Sequence, residues 1–169
     1  MTEPNVRIEI VEYDPRWPAL YEEERARVAA ALGPMVERIE HIGSTSVPGL
    51  AAKPIIDLLV TVARLGPVDP YVEPLGSLGY TYFPILGNAV RYTFGKGDPH
   101  THHLHIVQHG GDEHLRPLAF RDYLSAHPDD ARRYAALKRE LAARFPGDRR
   151  AYLEGKTAFV RSIEARARQ

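Results

Sequence analysis

The chain has no cysteine, and its charges cancel. Without cysteine there can be no disulfide, no thiolate zinc site and no cysteine nucleophile. Twenty-two basic and twenty-two acidic residues give a formal net charge of zero. No overall field therefore draws the chain non-specifically to nucleic acid or to a membrane surface. We expect any anionic ligand to be held by a local cluster of cations.

Long apolar segments are also missing. The apolar run around Leu58–Val60 is far too short to span a bilayer. Residues 1–11 contain charges but no apolar core of a secretory signal. A cytoplasmic protein is therefore expected. The chain has 169 residues, 44% of them hydrophobic and 26% charged, which predicts a single globular domain over residues 1–169.

Hydrophobic patterning predicts mixed strands and helices in the first half of the chain and helices alone in the second. Strands are predicted over 7–12, 36–42, 54–62, 80–83, 90–95 and 103–108. Helices are predicted over 18–32, 69–78, 130–144 and 149–166. From residue 115 onward the chain is predicted to be helical with two interruptions. Candidate N-cap residues are Asp14, Asp69, Asp129 and Asp148, and Asn88 is predicted in a turn. This order fits an α/β or α+β fold, with a mixed β-sheet flanked by helices and a helical C-terminal half.

One charge interrupts the strand predicted over 54–62. That segment is almost continuously aliphatic, which is typical of a strand buried on both faces. Its only charged residue after Lys53 is Asp57. Burying a carboxylate without a partner is costly, so Asp57 is expected to meet a partner or a ligand. It is the first candidate site residue.

A turn rich in small residues precedes this strand. Gly43 would let the backbone approach a ligand closely, and amides at the start of a following helical piece would help to hold an anion. Lys53 would pair with a phosphate or with Asp57. Most turns of this composition only connect two elements, and that alternative stays open. The candidate phosphate-binding residues of the segment are Gly43, Ser44, Thr45, Ser46 and Lys53.

The segment from 41 to 57, HIGSTSVPGLAAKPIID, resembles the signature of the GrpB family. The resemblance extends over almost the whole chain, through residues 11–17, His103-Leu104-His105, residues 120–124, Tyr134, Leu137-Lys138, Tyr152 and Lys156. It implies a fold similar to nucleotidyltransferases. In those enzymes a strand and a Gly-Ser turn precede a second strand that bears two acids one residue apart, and these acids hold divalent metal.

The sequence departs from that pattern at position 59, where Leu59 stands in place of the second acid. A single carboxylate holds magnesium weakly, because the ion requires several oxygen ligands. Three functions therefore stay open. The chain is a nucleotide- or phosphate-binding domain that transfers a nucleotidyl group to a small molecule with a divalent metal, a non-catalytic nucleotide-binding or regulatory module, or a metal-dependent hydrolase that uses its histidines.

Five of the eight histidines lie between positions 100 and 109. His103 and His105 are two residues apart on a predicted strand, so they share one face. Together with Asp57 they would hold a divalent ion such as Mg²⁺, Mn²⁺ or Zn²⁺, or His105 would act with Asp57 as a general base. In the alternative interpretation His105 is a hydrogen-bonded core residue, and His100 and His102 belong to an exposed loop.

The helical half contains two Tyr-Lys pairs with the same spacing. Tyr134 and Lys138, like Tyr152 and Lys156, are four residues apart and so share a helix face. They predict one wall of a cleft in which the lysines reach an anionic ligand, although ordinary packing with outward-pointing lysines fits as well. Arg91 is a further candidate for phosphate contact. The expected partner is a small nucleotide or phosphorylated molecule, and whether the chain forms a homo-oligomer stays open.

Overall fold

The computed structural model describes residues 7–84 and 90–169. It contains five strands and five α-helices, with short 3₁₀ turns at Gly33–Met35 and Ser44–Ser46. The strands are β1 (Arg38–Ile42), β2 (Ile56–Val62), β3 (Tyr80–Phe83), β4 (Arg91–Gly97) and β5 (His100–Gln108). The helices are α1 (Trp17–Leu32), α2 (Asp69–Gly76), α3 (Asp112–Ala126), α4 (Pro128–Arg144) and α5 (Arg149–Ala167).

The five strands form one mixed sheet in the order β1-β2-β5-β4-β3. β2 runs parallel to β5, and the other neighbouring pairs are antiparallel. The predicted fold class, a mixed sheet with helices and a helical C-terminal half, is confirmed. β2 has a strand on each side, as its aliphatic sequence predicts.

The alternation of side chains along β2 separates two packing layers. Leu58, Val60 and Val62 lie in the main core, which α1 and α2 cover. Leu59 points to the other face and packs with Ile42 and Val107. Asp57 shares the face of Leu59 because it is two residues away on the strand.

The C-terminal helices pack on the connection between β1 and β2. Val47, Leu50 and Ala51 of that connection form a buried cluster with Tyr134 of α4 and Ile163 of α5. This packing brings one face of α4 and one face of α5 beside the turn that follows β1. Because Asp57 lies near the start of β2, directly after this connection, the same packing places Asp57 close to α4 and α5.

Several element boundaries differ from the prediction. Residues 7–12 form no strand beyond a single bridge between Val11 and Ala52, because Ile8 packs against the C-terminal helices instead. β4 and β5 are longer than predicted, so His100 and His102 lie on a strand and not in a loop.

Of the predicted caps, only Asp148 accepts a helix amide, from Ala151, while Asp129 lies inside α4. The backbone N–H of Arg16, the residue before α1, donates to the Asp14 carboxylate, and Asp69 is already the first residue of α2. Asn88 lies outside the described residues. In the part of the chain that is described, no helix has the length and apolar character needed to cross a membrane.

Candidate functional site

Gly43 and Asp57 are in direct contact. Gly43 follows β1 with φ 74° and ψ −175°, a backbone conformation that is almost restricted to glycine. A Cβ atom at this position would overlap Asp57 Oδ2 and lie 3.1 Å from Asp57 Cγ. The turn therefore reaches the carboxylate only because residue 43 has no side chain.

Two imidazoles face the same carboxylate. The parallel pairing of β2 with β5 sets Asp57 opposite His103 and Leu59 opposite His105. His103 Nδ1 lies 3.6 Å and His105 Nε2 3.8 Å from Asp57 Oδ1, and the Asp57 side chain is 24% exposed. Burial alone would raise the pKa of Asp57, but the two imidazoles outweigh it, so this pKa lies well below its usual range. Asp57 is ionised at neutral pH.

Each imidazole also has a second partner. His105 Nδ1 lies 3.2 Å from Thr93 Oγ1 on β4, and His103 Nε2 lies 3.0 Å from His100 Nδ1. Thr93 and His100 were not singled out from the sequence as site residues. Thr93 lies opposite His105 in the pairing of β4 with β5, which the linear spacing of residues does not reveal. His100 lies three residues before His103 on the same strand.

Lys138 of α4 is a buried amine with neutral hydrogen-bond partners. Its Nζ donates to Ser44 Oγ at 2.9 Å and to the Ala51 carbonyl at 2.7 Å, and it lies 4.5 Å from the centre of the Tyr134 ring. The residue is 2% exposed. Across residues 7–84 and 90–169, no carboxylate forms an ion pair with it. Burial and the nearby cations, Lys156 first among them, lower the pKa of Lys138 to about 7.

Lys53 and Lys156 complete a lysine cluster with Lys138. Both approach the ring of Tyr152, with Nζ 5.2 Å and 4.8 Å from its centre. Burial and the charge of Lys53 lower the pKa of Lys156 to about 8, although the charge of Asp57 opposes this shift. Three of the four lysines in the chain thus lie at one place. In each Tyr-Lys pair the ammonium group lies over the ring of its own tyrosine, so the two residues share a helix face as their spacing predicts.

The two tyrosines of these pairs are protonated donors. Tyr152 is fully buried, and its hydroxyl has no hydrogen-bond partner among the described residues. Burial raises the pKa of Tyr152, and it raises the pKa of Tyr134 to about 12 in spite of a hydrogen bond with Ser44. A buried hydroxyl without a partner is costly. The Tyr152 hydroxyl is therefore a buried donor that the described residues leave unsatisfied.

Three residues predicted to bind phosphate are used elsewhere. Thr45 donates to the Ile55 carbonyl at 3.1 Å, and Ser46 donates to the Gly43 carbonyl. Both hydroxyls stabilise the turn, which is a three-residue 3₁₀ turn and not the start of a longer helix. On β4, Arg91 lies four residues before Gly95, and Gly95 is the residue that pairs with His103. The Arg91 side chain forms an ion pair with Glu113 of α3 at 3.3 Å. It does not join the lysine cluster.

His41 and Arg121 hold the turn from its other side. The His41 ring stacks on the ring of Tyr21. Its Nε2 atom lies 2.9 Å from Thr45 Oγ1. Burial lowers the pKa of His41 to about 4, so this ring is neutral at pH 7. Arg121 pairs with Asp122 at 2.9 Å and donates to the His41 carbonyl at 3.0 Å. The ion pair with Asp122 thus orients Arg121 towards β1.

The donor set around Asp57 does not fit magnesium. Leu59, in the position of the second acid, is 1% exposed and packs in an apolar cluster. Within the two described ranges, no three His, Cys, Asp or Glu side chains are arranged to hold a metal ion. One carboxylate beside two imidazoles is also far from the array of hard oxygens that Mg²⁺ prefers. The residues present around Asp57 therefore do not form a magnesium site.

Solved structures share this fold at two levels of similarity. A crystal structure of the conserved protein GrpB from Enterococcus faecalis matches with a TM-score of 0.88 and 42% identity, covering 94% of this chain and 96% of that one. The poly(U) polymerase Cid1 matches with a TM-score of 0.55 and 12% identity, covering 86% of this chain and 49% of Cid1. The similarity to Cid1 shows a nucleotidyltransferase-like fold, and it says nothing about substrate or activity.

Sequence relatives identify the family. The UPF0157 protein YqkA of Bacillus subtilis is 40% identical over 167 residues, which cover 98% of this chain and 49% of YqkA. The chain therefore spans about half the length of that relative. A family model described as GrpB protein matches residues 7–166. The chain belongs to the GrpB family.

Proposed function

We propose that this chain binds the phosphate groups of a small nucleotide or of another small phosphorylated molecule at the lysine cluster. The observation that carries the proposal is Lys138, a buried amine whose hydrogen-bond partners are a hydroxyl and a carbonyl. An amine of this kind is stabilised when an anion binds beside it, because the anion supplies the missing opposite charge.

The groups around Lys138 support the same ligand. Lys156 and Lys53 add two further ammonium groups, and the Tyr152 hydroxyl is a donor that has no partner in the described part of the chain. Phosphate oxygens accept hydrogen bonds from all of these groups. The chain has no net charge, so the attraction comes from this cluster and not from the protein as a whole.

The proposal is tested by isothermal titration of the chain with inorganic pyrophosphate and with ATP at pH 7.5. We expect saturable binding, and a rise in melting temperature that grows with ligand concentration. Lys156→Gln should weaken the binding of pyrophosphate by about tenfold or more, since a charged hydrogen bond of this kind contributes about 1.5–3 kcal/mol.

The matched control is Arg150→Gln. Arg150 is on the same helix as Lys156 but is 89% exposed and pairs with Glu154, so its loss removes one positive charge away from the cluster. Equal losses in the two variants would mean that only general electrostatic attraction is at work. No binding of either ligand to the unmodified chain would refute the proposal.

A second candidate function is transfer or hydrolysis of the bound group. The observation that favours it is the Asp57–His103–His105 group, whose carboxylate is close enough to influence the pKa of Lys156. We expect Asp57→Asn to abolish any consumption of ATP, followed by phosphorus NMR, while pyrophosphate binding persists. Unchanged ATP over the same period in the unmodified chain, with binding intact, leaves the non-catalytic binding module as the function.

A further inference from the structure

Ser44 and Lys138 form a hydroxyl–amine pair whose two members differ in exposure. Lys138 Nζ lies 2.9 Å from Ser44 Oγ, and the Ala51 carbonyl, 2.7 Å from the same nitrogen, fixes the direction of the amine. Lys138 is 2% exposed, whereas Ser44 is only half-buried. A partly accessible hydroxyl is therefore hydrogen-bonded to an amine that is almost closed off from solvent.

The surroundings of Lys138 favour its neutral form. Burial is the main cause of its pKa of about 7. Three neighbouring cations lower this pKa further, and they are Lys156, Lys53 and Arg139. A neutral amine has a lone pair, which accepts the hydroxyl hydrogen of Ser44 across the same 2.9 Å. A base that titrates near neutral pH and lies within hydrogen-bond reach is what the activation of a hydroxyl requires.

The folded turn separates Ser44 from the two hydroxyl residues that follow it. Thr45 donates to the Ile55 carbonyl, and Ser46 donates to the Gly43 carbonyl. These two hydroxyls are used by the backbone, whereas the Ser44 hydroxyl meets the side chain of a potential base. The residue that precedes Ser44 is the glycine with positive φ, so a sharp turn presents this serine at the end of β1.

Tyr134 helps to orient the hydroxyl of Ser44. The Tyr134 hydroxyl is a second hydrogen-bond partner of Ser44, and it stays protonated because burial raises its pKa to about 12. Its O–H can therefore donate to Ser44 Oγ. The hydrogen of Ser44 is then left for the lone pair of Lys138.

We propose that Ser44 is a nucleophile that accepts the phosphoryl group of a bound phosphate ester or polyphosphate, with Lys138 as the general base that takes its proton. The proposal rests on the proposed function, because binding at the lysine cluster would bring the phosphorus atom to the serine. Ser44 Oγ forms a bond to phosphorus while the bond between phosphorus and the leaving oxygen breaks. That oxygen departs with the electron pair, and the hydroxyl proton passes to Lys138 Nζ.

The charges before and after this step explain why a buried amine suits it. Before the attack, neutral Lys138 places no charge in the interior. After the attack it is an ammonium group beside an anionic phosphoserine, and the two opposite charges stabilise each other. A buried ammonium group without such a partner would be costly.

The test uses diisopropyl fluorophosphate, a phosphorus electrophile that has its own leaving group, on the full chain. Mass spectrometry of the peptides should find the diisopropylphosphoryl adduct on Ser44. Ser125 and Ser162, which are exposed, are internal controls that should stay unmodified. The labelling rate should rise with pH around the pKa of Lys138, about 7, and at pH 5 it should be about a hundredfold below its plateau.

Substitutions of Lys138 test its role as the base. Lys138→Met removes the amine, and Lys138→Arg keeps the positive charge but introduces a group that stays protonated. Each should slow the labelling of Ser44 by about a hundredfold or more. Arg150→Gln, away from the cluster, should label like the unmodified chain. Unchanged labelling in either Lys138 variant, or no adduct on Ser44 in the unmodified chain, would overturn the proposal.

Pyrophosphate separates this proposal from the proposed function. When it is added to the unmodified chain, it should slow the labelling of Ser44 in proportion to the fraction of the chain that it occupies. Labelling that pyrophosphate does not slow would support the Ser44–Lys138 pair and count against phosphate binding at the lysine cluster. Saturable pyrophosphate binding without any labelling would overturn the nucleophile and leave the proposed function standing.

Discussion

Two buried ionisable side chains on opposite faces of the sheet differ in the partners that surround them. On the α1 face, Glu24 is 1% exposed and accepts hydrogen bonds from Tyr80 Oη and Lys96 Nζ, both at 2.9 Å. On the other face, Lys138 is 2% exposed, donates to two neutral oxygen atoms and is subject to the charge of nearby cations. The first charge is balanced within the protein, and the second has no carboxylate partner among the residues that the structure describes.

Under the proposed function, the difference is that Glu24 is a structural charge, whereas the charge of Lys138 would be balanced by a ligand. Burial raises the pKa of Glu24, but Lys96 and Tyr80 lower it by more, so the carboxylate stays ionised. Burial lowers the pKa of Lys138, and the neighbouring cations add to the shift. A buried ion that the protein leaves uncompensated costs stability. Such a cost is typical of a functional site.

The largest effect is expected from Lys96→Met. The substitution leaves the buried carboxylate of Glu24 without its ammonium partner, and we expect the free energy of unfolding to fall by about 4 kcal/mol. Urea denaturation measures this change. Pyrophosphate affinity should stay the same, because Lys96 lies on the α1 face. A loss of affinity in the folded variant would show that the two clusters are coupled.

Gly43→Ala should break the contact between the turn and Asp57. The conformation at Gly43 is nearly restricted to glycine, and the new methyl group overlaps the carboxylate, so we expect a loss of about 3 kcal/mol in unfolding free energy. The matched control is Gly49→Ala. Gly49 also has a positive φ, of 80°, but open space around it, and we expect about 1 kcal/mol there. Equal losses would mean that the Asp57 contact is unimportant.

Lys138→Met should stabilise the chain while it removes ligand binding. Replacing the strained ammonium group by an apolar side chain should raise the unfolding free energy at pH 7 by about 2 kcal/mol, after the hydrogen bonds to Ser44 and Ala51 are lost. Pyrophosphate binding should become undetectable in the same titration. A destabilised variant would contradict the assignment of Lys138 as an uncompensated charge.

The same variant should change the pH dependence of stability. The pKa of Lys138 is about 7 in the folded chain and about 10.5 when unfolded, so between these values the unfolded chain binds more protons. Its contribution therefore makes the unfolding free energy rise with pH across this window. Denaturation curves from pH 6 to pH 9 should show this rise in the unmodified chain and a flatter profile in Lys138→Met.

Tyr152→Phe should have the smallest effect on stability. The hydroxyl has no partner in the described part of the chain, so its removal should raise the unfolding free energy by about 1 kcal/mol. If the hydroxyl donates to the ligand, pyrophosphate affinity should fall by about tenfold. Tyr80→Phe is the opposite case, because its hydroxyl bonds Glu24, and it should reduce stability without reducing affinity.

Much of the candidate site could be predicted because its signals are local. A lone acid in an aliphatic strand, a glycine turn before it and two Tyr-Lys pairs four residues apart all appear in the linear sequence. Thr45 and Ser46 could not be separated from Ser44 in the same way. All three are small hydroxyl residues in one turn, and only the folded turn decides which hydroxyl faces Lys138.

The sequence by itself determined the order of strands and helices from α1 onward, the burial of β2 and the absence of a second acid beside Asp57. These depend on side-chain identity and on periods of two and of 3.6 residues, which are properties of neighbouring positions. Tertiary structure decided that Thr93 supports His105, that Arg91 lies apart from the site, and that three lysines far apart in the chain meet. Charge balance depends on distances between elements, and packing alone fixes those distances.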